Sequence, residues 1–175
     1  SVSLQPAVFD LKRSGLHFQI VGPPVSGKTT ALYNFVFSLA YRYTPEEVML
    51  LLVDPQRRFA DYGGQHQLGD LPHVVATIHE VRELPPVVRL LANEAQRLAA
   101  RTTTREVFIL VDNYDDIGED IDRLDDLARN LGNLARRHGR DGLHFVLAGA
   151  MESGVNEFKR AVQATNFGID RKSVV

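Results

Sequence analysis

Gly22-Pro23-Pro24-Val25-Ser26-Gly27-Lys28-Thr29 decides how this chain is read, because it meets G-x-x-x-x-G-K-[ST] at every fixed position. Each demand has a physical reason. Glycines let the backbone curl until its amide protons converge on phosphate oxygens. Lys28 is placed to reach β- and γ-phosphates, and the Thr29 hydroxyl to coordinate Mg²⁺. Gly22, Pro23, Pro24, Val25, Ser26, Gly27, Lys28, Thr29 and Thr30 are therefore the candidate nucleotide-binding residues, with ATP and Mg²⁺ the expected ligands. The context agrees with the string. The short apolar run Leu16–Val21 enters it as a strand and Thr29–Tyr43 leaves it as a helix, whose N-terminus adds partial positive charge. Pro23 and Pro24 take two backbone donors out of the cradle.

Outward from this loop, strand-like and helix-like segments alternate. Thr29–Tyr43 is apolar almost all round, as for a helix buried inside a domain. Val48–Val53 and Val107–Val111 are the longest apolar runs and read as fully buried strands. Residues 55–79 hold Pro55, Gly63, Gly64, Gly69 and Pro72 and read as a long functional loop. Pro85-Pro86 suit the first turn of a helix running to about Arg101. Ile121, Leu124, Leu127, Leu131 and Leu134 give Ile121–His138 a helical period, with Gly139 as its stop. Leu143–Ala148 is a further strand, Asn156–Ala164 a short helix and Phe167–Asp170 a last strand. The alternation predicts an α/β fold with a mostly parallel sheet between helices, the three-layer RecA/ASCE-like P-loop NTPase architecture.

A phosphate loop needs a second element to hold the metal. Asp112 ends the buried run Val107–Val111, and ligands in such sheets bind outside the carboxyl ends of the strands. Thr29 and Asp112 are therefore the candidate metal ligands, and Lys28, Asp112 and Asn113 the candidate catalytic residues. Asn113 stands where active ATPases of this kind carry a carboxylate. Its amide can hold a water but cannot accept a proton, and a missing general base costs about 10²–10⁴ in rate. Asp115 and Asp116 follow too closely to be expected to point the same way.

Composition narrows the alternatives. With 175 residues, the chain is long enough to bury a core without a metal or disulfide staple. Its apolar share of 44% and charged share of 24% are ordinary for a globular protein, and zero cysteines exclude disulfides, thiolate metal sites and a thiol nucleophile. A net charge of −2 argues against a domain that grips nucleic acid by itself. No stretch approaches 18 apolar residues without a charge. The acidic residues from Asp112 to Asp126 lack calcium-loop spacing and read as a solvated helix start. Ser1 in the first position and a candidate strand just before Val175 lead us to expect one domain, residues 1–175, cut from a longer multi-domain chain.

Several further stretches, taken in order, resemble the FtsK/SpoIIIE family of ring-forming motor ATPases, and most of all the EccC-type domains of type VII secretion. They are Phe9-Asp10-Leu11, Tyr43-Thr44-Pro45-Glu46-Glu47-Val48 with Leu52-Val53-Asp54, and Asp54-Pro55 with Leu71-Pro72-His73-Val74. Val111-Asp112-Asn113-Tyr114-Asp115 and Gly142-Leu143-His144-Phe145-Val146-Leu147-Ala148 complete the set. The resemblance implies a motor domain working beside neighbouring ATPase domains in a tandem chain or a hexameric ring. It also implies a cytoplasmic position at the inner face of a bacterial plasma membrane, reached through the parent chain. A secreted protein's C-terminal tail is the implied partner, and DNA the less favoured one. His73 and His144 sit where the family has them and read as structural. Arg57, Arg58 and Arg160 are candidates for reaching a neighbour's nucleotide. Three departures mark a degenerate member: Asn113, Gln56 in place of a frequent lysine, and Ala148-Gly149-Ala150 in place of a polar sensor. The expected function is thus ATP binding with weak or regulated hydrolysis. The alternatives are a DNA translocase domain, or a nucleotide-binding or substrate-docking module without hydrolysis.

Overall fold

The computed structural model describes residues 16–60, 67–124, 126–150, 156–164 and 166–170. Six strands form one sheet: β1 (His17–Val21), β2 (Val48–Val53), β3 (Val74–Ile78), β4 (Glu106–Val111), β5 (Leu143–Gly149) and β6 (Asn166–Asp170). Their spatial order is β3-β2-β4-β5-β1-β6, and every pairing is parallel. Helices α1 (Lys28–Arg42), α2 (Leu84–Ala99), α3 (Gly118–Arg123), α4 (Leu127–His138) and α5 (Glu157–Ala164) connect them. The strand entering the phosphate loop and the strand carrying Asp112 are separated by β5 alone. That spacing leaves a crevice at the carboxyl ends of β1, β5 and β4, where ligands of such sheets sit.

The pleat sorts the apolar residues into two cores. On one face Met49, Leu51, Val53, Val107, Ile109, Val111, Phe145 and Leu147 pack beneath α2, α4 and α5. On the other, Leu50, Leu52, Phe108, Leu110, Val146 and Ala148 pack beneath α1 together with Phe59 and Leu68. Alternate residues of each strand serve opposite cores, so all six residues of β2 and all seven of β5 are buried. Each fully buried leucine contributes about 1.5–3 kcal/mol of transfer free energy. The result is the three-layer P-loop architecture expected from the sequence.

Four local expectations are corrected. Residues 55–79 are not all loop, because Val74–Ile78 forms edge strand β3 beside β2. Its residues are mostly half-exposed, and Val75 is exposed, so no continuous apolar run announced it. Helix α1 is not enclosed all round: it buries Leu32, Tyr33, Val36 and Leu39, while Phe37 and Tyr41 are 45% and 92% exposed. Nothing among the described elements packs over that outer face.

Ile121–His138 is two helices, broken where Asp126 adopts φ 65°. The three-residue steps from Ile121 to Leu124 to Leu127 are shorter than a helical turn, and Leu124 ends half out in solvent. Gly139 ends α4 without turning it; it keeps a right-handed φ of −58° and opens a 3₁₀ turn to Asp141. Gly142, at φ 112°, makes the reversal into β5, a conformation in which a side chain would be strained. The Phe9-Asp10-Leu11 segment, Gly63 and Gly64 lie outside the described residues.

The remaining elements follow their sequence signals closely. Pro85 and Pro86 occupy the first turn of α2, whose Leu84, Val88, Leu91, Ala95 and Leu98 repeat at helical spacing and are buried. Arg136, Arg137 and His138 close α4, where positive charge complements the helix C-terminus.

Candidate functional site

Gly27, at φ 84°, is the N-cap of α1 and turns the loop into the helix. Ala31 N–H makes the first helical bond, to Gly27 O at 2.9 Å, so the amides of Lys28, Thr29 and Thr30 precede the helical ladder and face the loop. The loop is also fastened across its mouth. Lys28 Nζ donates to Gly22 O and Pro23 O, both at 2.9 Å, and Ser26 N–H donates to Pro23 O at 3.3 Å. Gly22 N–H donates to Gly149 O at 3.3 Å, which ties the loop to the end of β5. Val25 stands fully exposed at the tip with φ 61°, a left-handed conformation that costs a β-branched residue about 1–2 kcal/mol. Strain of this kind gathers where a loop is shaped for a ligand.

Thr29 and Asp112 are 83 residues apart in sequence, and the sheet brings them together. Thr29 Oγ1 donates to Asp112 Oδ2 at 2.9 Å. Asp112 is only 2% exposed, and burial pushes its carboxyl above the ordinary carboxylate range, opposed by the Thr29 hydrogen bond and by the charge of Arg58. A hydroxyl and a buried carboxylate side by side are hard oxygen donors, the kind Mg²⁺ takes one or two at a time alongside phosphate and water. The donor chemistry therefore fits the metal that the loop implies. Among the described residues no group of three or more acidic or histidine side chains forms a metal cluster, so the acidic run after Asp112 builds none.

Asn113 follows with φ 54° and ψ 54°, a left-handed conformation that asparagine tolerates. Its Nδ2 donates to Asp116 Oδ2 at 2.8 Å, and Gln56 Nε2 donates to the same oxygen. Asp115 turns the other way, accepting Ala150 N–H through Oδ2 at 2.6 Å and packing on Gly149. Asp115 thus points elsewhere, as the spacing predicts, whereas Asp116 meets the Asn113 side chain, against that expectation. At the end of β5, where Ala148-Gly149-Ala150 offers no side-chain donor, the Asp115 carboxylate stands instead.

Three residues of this region carry roles that the sequence alone did not reveal. Asp54 follows β2 as Asp112 follows β4, and Asp112 N–H donates to Val53 O at 2.9 Å, so the two carboxylates end adjacent strands in register. The signal was available: one polar residue closing the wholly apolar run Val48–Val53. Asp54 is buried and accepts the N–H groups of Arg58 and Phe59 at 3.0 and 2.7 Å. Tyr33 on α1 donates its hydroxyl to Arg58 O at 2.8 Å. Arg58 Nη1 stands 3.5 Å from Thr29 Oγ1 of its own chain. Arg57, at φ 56°, Arg58, and Arg160 on α5 are all exposed.

The buried histidines are structural. His17 Nδ1 accepts Phe145 N–H at 3.1 Å while Nε2 donates to Ala135 O at 2.9 Å, and burial pushes its pKa down to about 4. His144 meets Leu16 O at 2.7 Å through Nδ1, and His73 meets Tyr43 O at 2.7 Å through Nε2.

Comparison with known proteins agrees with this geometry. The model of the FtsK/SpoIIIE family matches residues 2–126. The type VII secretion system protein EssC of Staphylococcus aureus (strain MRSA252) is 24% identical over 164 residues, covering 86% of this chain and 11% of EssC. The ESX secretion system protein EccC of Thermomonospora curvata is 27% identical over 156 residues, 85% of this chain and 12% of EccC. The chain thus spans only about a ninth of the length of these relatives. Among solved structures, ATPases 2 and 3 of Thermomonospora curvata EccC, in complex with a signal sequence peptide, superpose with a TM-score of 0.66 at 26% identity, over 92% of this chain and 32% of that one. The cytoplasmic domain of EssC gives a TM-score of 0.73 at 18% identity, over 98% and 35%, a likeness of fold. Site, sheet order and comparisons together make this chain a member of the FtsK/SpoIIIE family, related to the EssC and EccC type VII secretion ATPases.

Proposed function

We propose that the chain is an ATP-binding domain of a type VII secretion ATPase in which hydrolysis is weak or depends on a neighbour. The observation that carries this reading is the Thr29–Asp112 hydrogen bond, which joins the phosphate loop to the carboxylate of a buried strand. Lys28 and the amides opening α1 would bind the β- and γ-phosphates, Lys28 exchanging its two loop carbonyls for phosphate oxygens. Thr29 and Asp112 would hold Mg²⁺, which supplies charge neutralisation at the phosphates when bound. Asn113, held by Asp116, can orient a water through its amide but cannot take its proton. That supports slow turnover by this domain alone.

Neighbouring ATPase domains of a longer chain are the partners we favour, a reading supported by the EccC structure named above, which holds ATPases 2 and 3. The signal sequence peptide in the EccC complex supports a secreted protein's tail as a further partner, and the near-neutral charge weighs against DNA. We place the domain on the cytoplasmic side of a bacterial membrane, which the cytoplasmic domains of EssC and EccC support. None of the described helices is long and apolar enough to cross a membrane.

The test is thermal melting with and without Mg²⁺-ATP, on the wild type and Lys28→Ala. At about 100 times the dissociation constant, ATP should stabilise the wild type by roughly 2.7 kcal/mol and leave Lys28→Ala unmoved. A wild type whose melting temperature ignores ATP refutes the reading, and the loop is then a relic in a docking module.

A further inference from the structure

The loop after β2 carries a cation into the phosphate site of its own chain. Its backbone is pinned from two sides. The buried Asp54 carboxylate holds the N–H groups of Arg58 and Phe59 at 3.0 and 2.7 Å. Tyr33, on the helix that leaves the phosphate loop, holds the Arg58 carbonyl at 2.8 Å, and the Phe59 ring meets Tyr33 edge-on at 5.5 Å. Arg57, just before Arg58, is left-handed at φ 56°. The exposed guanidinium of Arg58 stands 3.5 Å from Thr29 Oγ1. The proposed metal ligand Thr29, itself bonded to Asp112, thus already has a permanent positive charge beside it. A divalent ion on Thr29 and Asp112 would meet the guanidinium as like charge against like. Phosphate oxygens at the same place would meet a planar fork of donors that suits them.

We propose that Arg58 is a built-in counter-ion for the terminal phosphates of the bound nucleotide, acting in its own site and making nucleotide binding largely independent of a divalent metal. This rests on the phosphate-loop reading above. Its basis is mechanical as well as electrostatic: the arginine is anchored through Asp54 to the sheet and through Tyr33 to α1, so its backbone is placed before any nucleotide arrives.

Titration calorimetry with ATP, once in EDTA and once in Mg²⁺, tests it on the wild type, Arg58→Ala, Arg58→Lys and Lys28→Ala. The wild type should bind with dissociation constants within about threefold of each other in the two buffers. Arg58→Ala should lose about tenfold or more in EDTA, the worth of a charge-assisted contact, and recover in Mg²⁺. Arg58→Lys, which keeps the charge and loses the fork, should fall between them. Lys28→Ala should bind in neither buffer. A wild type that needs Mg²⁺ as much as Arg58→Ala does overturns this proposal and leaves the phosphate loop standing. So does an Arg58→Ala that binds equally weakly in both buffers at an unchanged melting temperature. A wild type that binds ATP in neither buffer overturns both readings.

Discussion

Asn113 stands where a general base would, and its neighbours decide what a substitution there can do. Its amide donates to Asp116, which also receives Gln56, so this corner of the site is built around one carboxylate and two amides. Placing Glu at 113 sets a second carboxylate against Asp116. We expect Asn113→Glu alone to lower stability by about 1 kcal/mol and to leave ATP turnover at the wild-type level. Removing the repulsion in the double variant Asn113→Glu/Asp116→Asn should raise steady-state phosphate release, up to about 10²-fold if the new carboxylate reaches a water. A double variant no faster than the wild type would show that the missing base is not what limits this site. The Thr29–Asp112 pair was legible in the sequence because both residues follow from motif and strand end. The Arg58 placement was not, because it depends on Tyr33 of α1 and Asp54 after β2 both holding the Arg58 backbone, which no local pattern encodes.

Strands differ in what they tolerate according to their place in the order. Leu51 lies in β2, between β3 and β4, and is wholly buried, whereas Val75 of the edge strand β3 is about half exposed. Leu51→Ala should cost about 2–5 kcal/mol in urea unfolding, and Val75→Thr no more than about 0.5 kcal/mol. Equal costs would contradict the sheet order. The same difference explains which elements the sequence disclosed. β2, β4 and β5 are buried on both faces, and their uninterrupted apolar runs announced them to within a residue or two. β3 pairs on one side only, so half-exposed positions and flanking turn formers hid it. The break before α4 was hidden for another reason: Leu124 keeps an apolar period that the backbone at Asp126 abandons. The outer face of α1 misled in the opposite direction, since Phe37 and Tyr41 are apolar in type and yet exposed.

At the scale of the whole molecule, acid should weaken the fold through its buried histidines. His17 is held neutral inside, with a pKa of about 4 against an ordinary 6.5, because burial disfavours its charge. Between these values the unfolded chain binds a proton that the folded chain refuses. Stability is therefore complete above about pH 6.5 and falls as the pH drops toward 4, by up to about 3 kcal/mol from His17 alone. His144, whose pKa burial also lowers, acts in the same direction. Urea unfolding measured from pH 7.5 to 4 should show the slope, and His17→Gln should flatten it; a wild type indifferent to pH across this window would contradict the assignment. The strand order carries a consequence for synthesis. Of the described strands β1 is emitted first, and among them it pairs with β5 and β6 alone, over a hundred residues further on. Until the ribosome has released Leu143–Gly149, the strand that enters the phosphate loop lacks both of its described neighbours, and Gly22 lacks the Gly149 carbonyl that fastens it. A nascent chain stalled short of β5 can hold its Lys28 but cannot grip a phosphate with it, so the capacity to bind arrives late and all at once.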